Sequence, residues 1–69
     1  MKQGKIKDEY IKLGQLLKLA GMVSSGIEAK MVIIDGQVTL NGTVEIQRGK
    51  KIHNGDIVSY HGESVQVTS

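Results

Sequence analysis

Two histidine and acidic pairs near the C-terminal end are the residues best suited to acid–base or metal chemistry. His53 is followed by Asp56, and His61 is followed by Glu63. A metal site or a catalytic site needs a third ligand or a nucleophile at a defined spacing, and none stands beside either pair. The chain has no Cys and no Gly-Lys-Ser/Thr run, so cysteine-ligated zinc and a nucleotide loop are also excluded. We interpret both pairs as turn residues and predict no metal, no cofactor and no enzymatic activity.

The basic residues form two clusters, and their chemistry is attraction to anions. The clustered residues are Lys2, Lys5 and Lys7, followed by Arg48, Lys50 and Lys51. The net charge of the 69 residues is only +2, so the bases are unevenly placed rather than numerous. Such clusters suit a nucleic acid. The alternative is an ordinary solvated surface.

A predicted helix N-terminus adds a second anion-binding feature. Ser25 is followed three residues later by Glu28, which is a capping box. The free backbone N–H groups and positive dipole at such an end suit a phosphate. Ser24 and Ser25 add hydroxyl groups, and Lys30 lies one turn further along. The alternative role of Ser25 is capping alone, and the sequence leaves open whether Lys18 and the later bases converge on this end.

Hydrophobic periodicity predicts the elements that position these residues. Apolar residues at positions 13, 16, 17 and 20 form one face of a first helix, which ends at Gly21. A second helix covers about residues 26–35 and ends at Gly36. Asn41-Gly42 is a two-residue hairpin signal. Short strands are expected at residues 10–12, 37–40, 43–46, 57–60 and 63–68.

These elements predict an α+β fold, with two packed helices followed by a small, mostly antiparallel sheet of four or five short strands. Residues 1–8 are expected to form a flexible basic tail, and residues 9–69 a single domain. With no Trp and no Phe, the core must be aliphatic. No stretch approaches the roughly 20 apolar residues of a membrane span, so we expect a cytoplasmic protein, and a monomer rather than an oligomer.

The run from Leu13 to Gly42, continued by Gly55-Asp56, resembles the S-four domain, also called the alpha-L RNA-binding domain. The family has a Leu-rich helix, Ser-Arg-Ser/Thr-x-Ala-Arg/Lys, a later Ile, then Gly-x-Val-x-Val-Asn-Gly and finally Gly-Asp. The matching residues are Ser25, Ala29, Lys30, Ile33, Gly36, Val38, Leu40, Asn41, Gly42, Gly55 and Asp56. Short free-standing bacterial members are similar in size and in the Leu-Leu-Lys-Leu and Gly-Asp-Ile-Val runs.

The resemblance implies binding to structured RNA, either ribosomal RNA or tRNA, with a role in ribosome assembly or translation. The second helix and its preceding loop form the usual contact face of the family. Because only two Tyr are present, we expect contacts to the folded backbone and its phosphates rather than to splayed bases. The predicted RNA-binding residues are Lys18, Ser24, Ser25, Lys30, Asn41, Arg48, Lys50 and Lys51.

Two departures from the family pattern support an alternative. Gly26 stands where many members have Arg, and Ile27 where they have Ser or Thr, so one main phosphate-binding side chain is missing. The alternative function is a protein-interaction adaptor that uses Ile27, Met31 and Ile34 as a docking patch, with a ribosomal subunit or another protein as partner. Those three residues have their own alternative role in core packing or a dimer contact.

Overall fold

Two small sheets and two helices make up the structure, a computed structural model that describes all residues 1–69. The predicted α+β class is confirmed. The elements in chain order are β1 (Lys2–Lys5), β2 (Tyr10–Lys12), α1 (Leu13–Leu19), α2 (Gly26–Ile34), β3 (Val38–Leu40), β4 (Thr43–Val44), β5 (Lys51–His53), β6 (Ile57–Tyr60) and β7 (Glu63–Thr68). Neither helix is both long enough and apolar enough to span a membrane.

Both helices end in the same way, because each is followed by a glycine with positive φ. Gly21 has φ 72° and Gly36 has φ 80°. After α1, the Met22 N–H donates to the Leu17 carbonyl at 2.9 Å and the Gly21 N–H donates to the Lys18 carbonyl at 3.0 Å. This is the Schellman arrangement, which satisfies the last free carbonyls of a helix. The two predicted helix ends are therefore confirmed.

The main sheet has five strands in the order β1-β7-β6-β3-β4. The hairpin between β3 and β4 turns at Asn41-Gly42, with φ 52° and 87°, which fits a two-residue turn with two positive φ values. The hairpin between β6 and β7 turns in the same way at His61-Gly62. Pairing is antiparallel throughout this sheet except between β1 and β7, which are parallel.

The core is one aliphatic cluster to which helices and strands both contribute, and it contains no buried polar side chain. Period 2 in β7 places Val65 and Val67 on its buried face. The remaining buried members are Ile6, Leu13, Leu16, Leu17, Ala20, Val23, Ala29, Val32, Ile33, Val38, Ile52 and Val58.

The N-terminal residues differ from the flexible tail expected for residues 1–8. They form β1, which pairs in parallel with β7, and the pairing continues where the Ile6 N–H donates to the Thr68 carbonyl at 2.8 Å. The physical reason is an alternation that the lysines obscure. Gly4 is buried so closely that a Cβ there would lie 3.3 Å from both Leu16 and Val65, and Ile6 is buried in the core.

A second, two-stranded sheet joins β2 to β5 and lies outside the main sheet. Its antiparallel register pairs Tyr10 with His53, Ile11 with Ile52 and Lys12 with Lys51. We call it the β2–β5 ribbon. The sequence predicts residues 47–51 as a loop anchored by Ile52, and Ile52 is indeed fully buried. The strand there was missed because Ile52 is a lone apolar residue between basic and turn-forming residues, so no alternation is visible.

Candidate nucleic-acid interface

Each histidine and acidic pair brackets a turn, but the prediction that all four are turn residues is wrong for two of them, because His53 ends β5 and Glu63 begins β7. The Asp56 carboxylate accepts a 2.8 Å hydrogen bond from the His53 backbone N–H, and the His53 ring nitrogen lies 4.0 Å from the same oxygen. The His61 ring stacks on Tyr60, with 4.5 Å between centroids. No three His, Asp or Glu side chains are grouped as metal ligands would be. The remaining candidates for a binding site are therefore the charged side chains on the protein surface.

A concave basic surface lies between the start of α1, the first turn of α2 and the turn over residues 47–50. It encloses about 320 Å³. The eight residues that line it, which we call the basic cradle, are Lys12, Gly14, Gln15, Lys18, Gly26, Ala29, Arg48 and Gly49. Three of these are basic and none is acidic, so the cradle concentrates positive potential at one concave place.

The start of α1 holds the basic turn in position. Lys12, which precedes the helix, makes no side-chain cap, so the first N–H groups of α1 need other acceptors. The Leu13 N–H donates to the Lys50 carbonyl at 2.9 Å, and the Gly14 N–H donates to the Arg48 carbonyl at 3.1 Å. The turn itself closes through a 3.1 Å bond from the Lys50 N–H to the Gln47 carbonyl. Arg48 is thereby fixed beside α1.

Gly14 makes room for the Arg48 side chain. A Cβ at position 14 would lie 2.8 Å from Arg48 Cγ and 3.4 Å from Cδ, which is closer than packed atoms lie. A glycine costs a helix about 1 kcal/mol relative to alanine. Here it lets the stem of Arg48 lie against α1, where Arg48 lines the cradle.

The polar side chains at the first turn of α2 mostly form hydrogen bonds within the protein. Ser25 caps the helix by accepting a 3.1 Å hydrogen bond from the Glu28 N–H. The Glu28 carboxylate accepts hydrogen bonds from the Ser24 N–H at 2.7 Å and the Ser24 hydroxyl at 2.9 Å. These two bonds lower the pKa of Glu28 from its usual 4.5. Ser24 is thus bound to a carboxylate, and of the two serine hydroxyls only that of Ser25 stays free to donate.

Asn41 is also engaged within the protein. Its amide nitrogen donates to Asp56 at 3.1 Å, and its amide oxygen accepts from the Ile57 N–H at 2.9 Å. The Asn-Gly and Gly-Asp parts of the motif therefore meet and join the β3–β4 hairpin to β6. Asn41 does not line the cradle.

The other predicted binding residues divide among three places. Lys18 and Arg48 come together in the cradle. Lys51 lies in β5 opposite Lys12, and the adjacent Lys50 is exposed. Lys30 lies on α2 and lines a separate groove of about 680 Å³, together with Ile27, Val32, Met31, Ile34, Asp35 and Gln37.

Sequence reasoning missed Lys12 and Gln15 as binding candidates. Lys12, Gln15 and Lys18 follow one another at intervals of three residues, so at helical spacing they lie on the same polar face. That spacing was the signal for the cradle. Lys12 was missed because it stands in a strand just before the helix begins.

The basic side chains have no acidic partners. The only ion pair in the protein is that of His53 with Asp56, so no lysine or arginine lies within 4.0 Å of a carboxylate. Lys2 is bound differently, through a 2.6 Å hydrogen bond to the Ala20 carbonyl. The charges of the cradle are therefore available to an external anion.

Known proteins are similar to this chain in both sequence and fold. The S4 domain model matches residues 4–68. The "Putative RNA-binding protein YbcJ" of Escherichia coli (strain K12) is 44% identical over 63 residues, covering 91% of this chain and 90% of YbcJ. The "Probable ribosome maturation protein RlbA" of Bacillus subtilis (strain 168) is 40% identical over 57 residues, covering 83% of this chain and 80% of RlbA.

The fold is similar to a solved structure as well. The solution structure of YbcJ from E. coli, described as revealing an AlfaL motif involved in RNA-binding, superimposes with a TM-score of 0.77 and 41% identity. The superposition covers 100% of this chain and 89% of YbcJ.

Proposed function

This chain belongs to the S4 domain family, and we propose from that premise that it binds structured RNA without catalysing a reaction on it. The resemblance first drawn from the motif is thereby confirmed. The observation that carries the proposal is the basic cradle, in which Lys12, Lys18 and Arg48 face one concavity with no acidic residue in its lining. RNA offers the complementary surface, because its backbone carries one phosphate for every nucleotide.

The proposed ligand is ribosomal RNA, or tRNA, in a folded form. The relative named for ribosome maturation supports a role in ribosome assembly or translation. Physically, the bases of the cradle converge from three separate elements, and such a concave arrangement fits a bent or folded backbone better than an extended strand. The planar guanidinium of Arg48 can bind a phosphate through two hydrogen bonds, and the lysines add compact charges.

Binding by this mechanism must depend steeply on salt, because each phosphate contact releases condensed counterions. The direct test is a titration of purified protein against ribosomal RNA and tRNA at several salt concentrations. We expect log Kd to rise linearly with log salt, with a slope of about 0.7–0.9 per phosphate contacted. The absence of measurable binding to either RNA at low salt would overturn the proposal.

The RNA itself can be identified in cells. Crosslinking followed by sequencing of the bound RNA is expected to recover defined sites in ribosomal RNA or tRNA. Recovery of only scattered messenger fragments would contradict the ribosomal assignment while leaving RNA binding intact. The cytoplasmic location and the monomeric state stay predictions from the sequence.

A second candidate function is a protein-interaction adaptor, which one observation favours. Ile27, Met31 and Ile34 are exposed along α2 and line the second groove, so core packing is excluded as their role. A defined partner whose binding survives nuclease and high salt, and is lost when Met31 is changed to Glu, would support it. A partner that is released by nuclease would count against it.

A further inference from the structure

We propose that the outer face of the β2–β5 ribbon binds one unpaired base of the RNA, with Tyr10 as the stacking platform. This inference rests on the proposed function and extends it. It specifies a ligand in which a folded backbone occupies the basic cradle and a neighbouring nucleotide is extruded from pairing, as in a bulge or a loop.

The ribbon presents its two faces very differently. Ile52 is fully buried and its pair partner Ile11 packs against the core. Side chains alternate along a strand, so the flanking pairs of Tyr10 with His53 and of Lys12 with Lys51 lie on the opposite, outer face. The Tyr10 and His53 rings are 6.1 Å apart between centroids and tilted by 51°. Tyr10 is 36% exposed and the His53 side chain 59%.

The two lysines on this face have no acidic partner. Lys12 and Lys51 lie directly opposite each other, and like charges at such positions destabilise a strand pair. Neither lysine is ion-paired. The acidic groups nearby are Asp56, whose carboxylate is already held by the His53 N–H and by the Asn41 amide, and Asp8 and Glu9, which directly precede Tyr10 and are not ion-paired with either lysine. An external anion between the two lysines would relieve their repulsion, and a nucleotide carries such an anion.

The Tyr10 ring is already used as a platform by a cation. The Lys51 ammonium lies 4.9 Å from its centroid. A base stacked on an aromatic ring contributes more than an exposed cation–π contact does, so a base can displace the ammonium. The displaced ammonium, on a flexible side chain, is then free to contact the phosphate of the same nucleotide.

Lys12 makes the ribbon and the cradle one continuous surface. It belongs to the outer face of the ribbon through its pairing with Lys51 and also lines the cradle. An RNA backbone held in the cradle therefore continues onto the ribbon. Tyr60, the other tyrosine, is part of the main sheet and stacks on its neighbour His61. Tyr10 is therefore the one tyrosine on this surface that can stack on a base, so we expect a single unpaired base to bind.

The test compares two RNA hairpins that differ by a single bulged nucleotide, with 2-aminopurine at the bulge as a fluorescent probe of stacking. Wild-type protein is expected to bind the bulged hairpin about tenfold more tightly and to quench the probe. Tyr10→Leu should lose this preference and the quenching while binding the paired hairpin as before. Tyr10→Phe should retain both, and Tyr60→Leu, which removes the other tyrosine ring, serves as the matched control and should also retain both.

Three results would overturn the inference. They are equal wild-type affinity for the two hairpins, an undiminished preference in Tyr10→Leu, or equal losses of preference in Tyr60→Leu and Tyr10→Leu. If the Tyr10→Leu protein melts early, the test rests on the wild-type and Tyr10→Phe proteins. Both must then quench the probe in the bulged hairpin, and a lack of quenching would overturn the inference. If wild type binds neither hairpin at low salt, the proposed function falls, and this inference falls with it.

Discussion

The motif residues and the basic cradle lie in one small protein and use their polar groups in opposite ways. Ser24, Ser25 and Asn41 direct their side chains to Glu28, Asp56 and the backbone of this chain. The bases of the cradle have no carboxylate partner at all. The comparison shows that Ser24, Ser25 and Asn41 build the scaffold here, while the charge proposed to attract RNA comes from α1 and the turn beside it.

Removal of cradle charge should have the largest effect. In Lys18→Ala/Arg48→Ala, RNA affinity is expected to fall roughly 100-fold, since each charge-assisted contact contributes about 1.5 kcal/mol. The salt slope should fall by about 2. Filter binding over a salt series measures both quantities. Lys5→Ala/Lys7→Ala removes the same charge from outside the cradle and should change them much less; equal losses in the two variants would break the distinction between the regions.

Loss of a motif side chain should affect stability rather than binding. Asn41→Ala removes two side-chain hydrogen bonds and leaves a non-glycine residue at φ 52°. We expect a loss of about 1–2 kcal/mol in the free energy of unfolding, measured by urea denaturation. Asn41→Gly keeps the turn conformation and should lose about 1 kcal/mol. A reduced salt slope for RNA binding in the folded Asn41→Ala protein would place Asn41 in the interface instead.

Restoring the family's missing charge should strengthen the cradle. Gly26 lines the cradle, and a Cβ there would meet no atom within 4 Å, so Gly26→Arg is sterically allowed. Affinity for RNA should rise about fivefold, with a salt slope larger by about 1. Gly26→Gln is the uncharged control of similar length. A Gly26→Arg protein that folds but binds no better would show that RNA does not reach the first turn of α2.

The smallest expected effect concerns pH and Glu28. Because hydrogen bonds from Ser24 lower the pKa of Glu28 in the folded protein, its ionised form stabilises the fold at pH above about 4.5. That contribution is lost as the pH falls through the lowered value. Glu28→Gln should therefore reduce the melting temperature slightly at pH 7 and flatten its decline on acidification. It should also raise RNA affinity slightly, because a negative charge leaves the end of α2.

Local signals in the sequence were enough for much of the scaffold. Ser25 and Glu28 marked the start of α2, Gly21 and Gly36 marked the helix ends, and Asn41-Gly42 marked the hairpin turn. In each case a backbone conformation is decided within a few residues. Two local details differ: the Glu28 carboxylate binds Ser24 rather than closing onto Ser25, and the strand expected at residues 43–46 covers only Thr43–Val44.

Non-local pairing was beyond the sequence. Strand β1 pairs with β7 at the opposite end of the chain, and the ribbon joins Tyr10 to His53. Lys residues masked the alternation of Gly4 and Ile6 in β1, and a single apolar residue, Ile52, gave β5 no visible alternation. The cradle was only partly foreseen for the same reason, because it exists only once the carbonyls of Arg48 and Lys50 cap α1.

The most direct test of the scaffold-and-cradle account is a nuclear magnetic resonance titration of the labelled 7.5 kDa protein with its RNA. Backbone and side-chain signals report both regions in one experiment. We predict the largest chemical-shift changes at Lys12, Gln15, Lys18, Arg48 and Gly49, including the Arg48 Nε–H. The changes at the Asn41 side-chain amide should be small. Large changes at Ser24 and Asn41, with the signals of Lys18 and Arg48 unmoved, would contradict it.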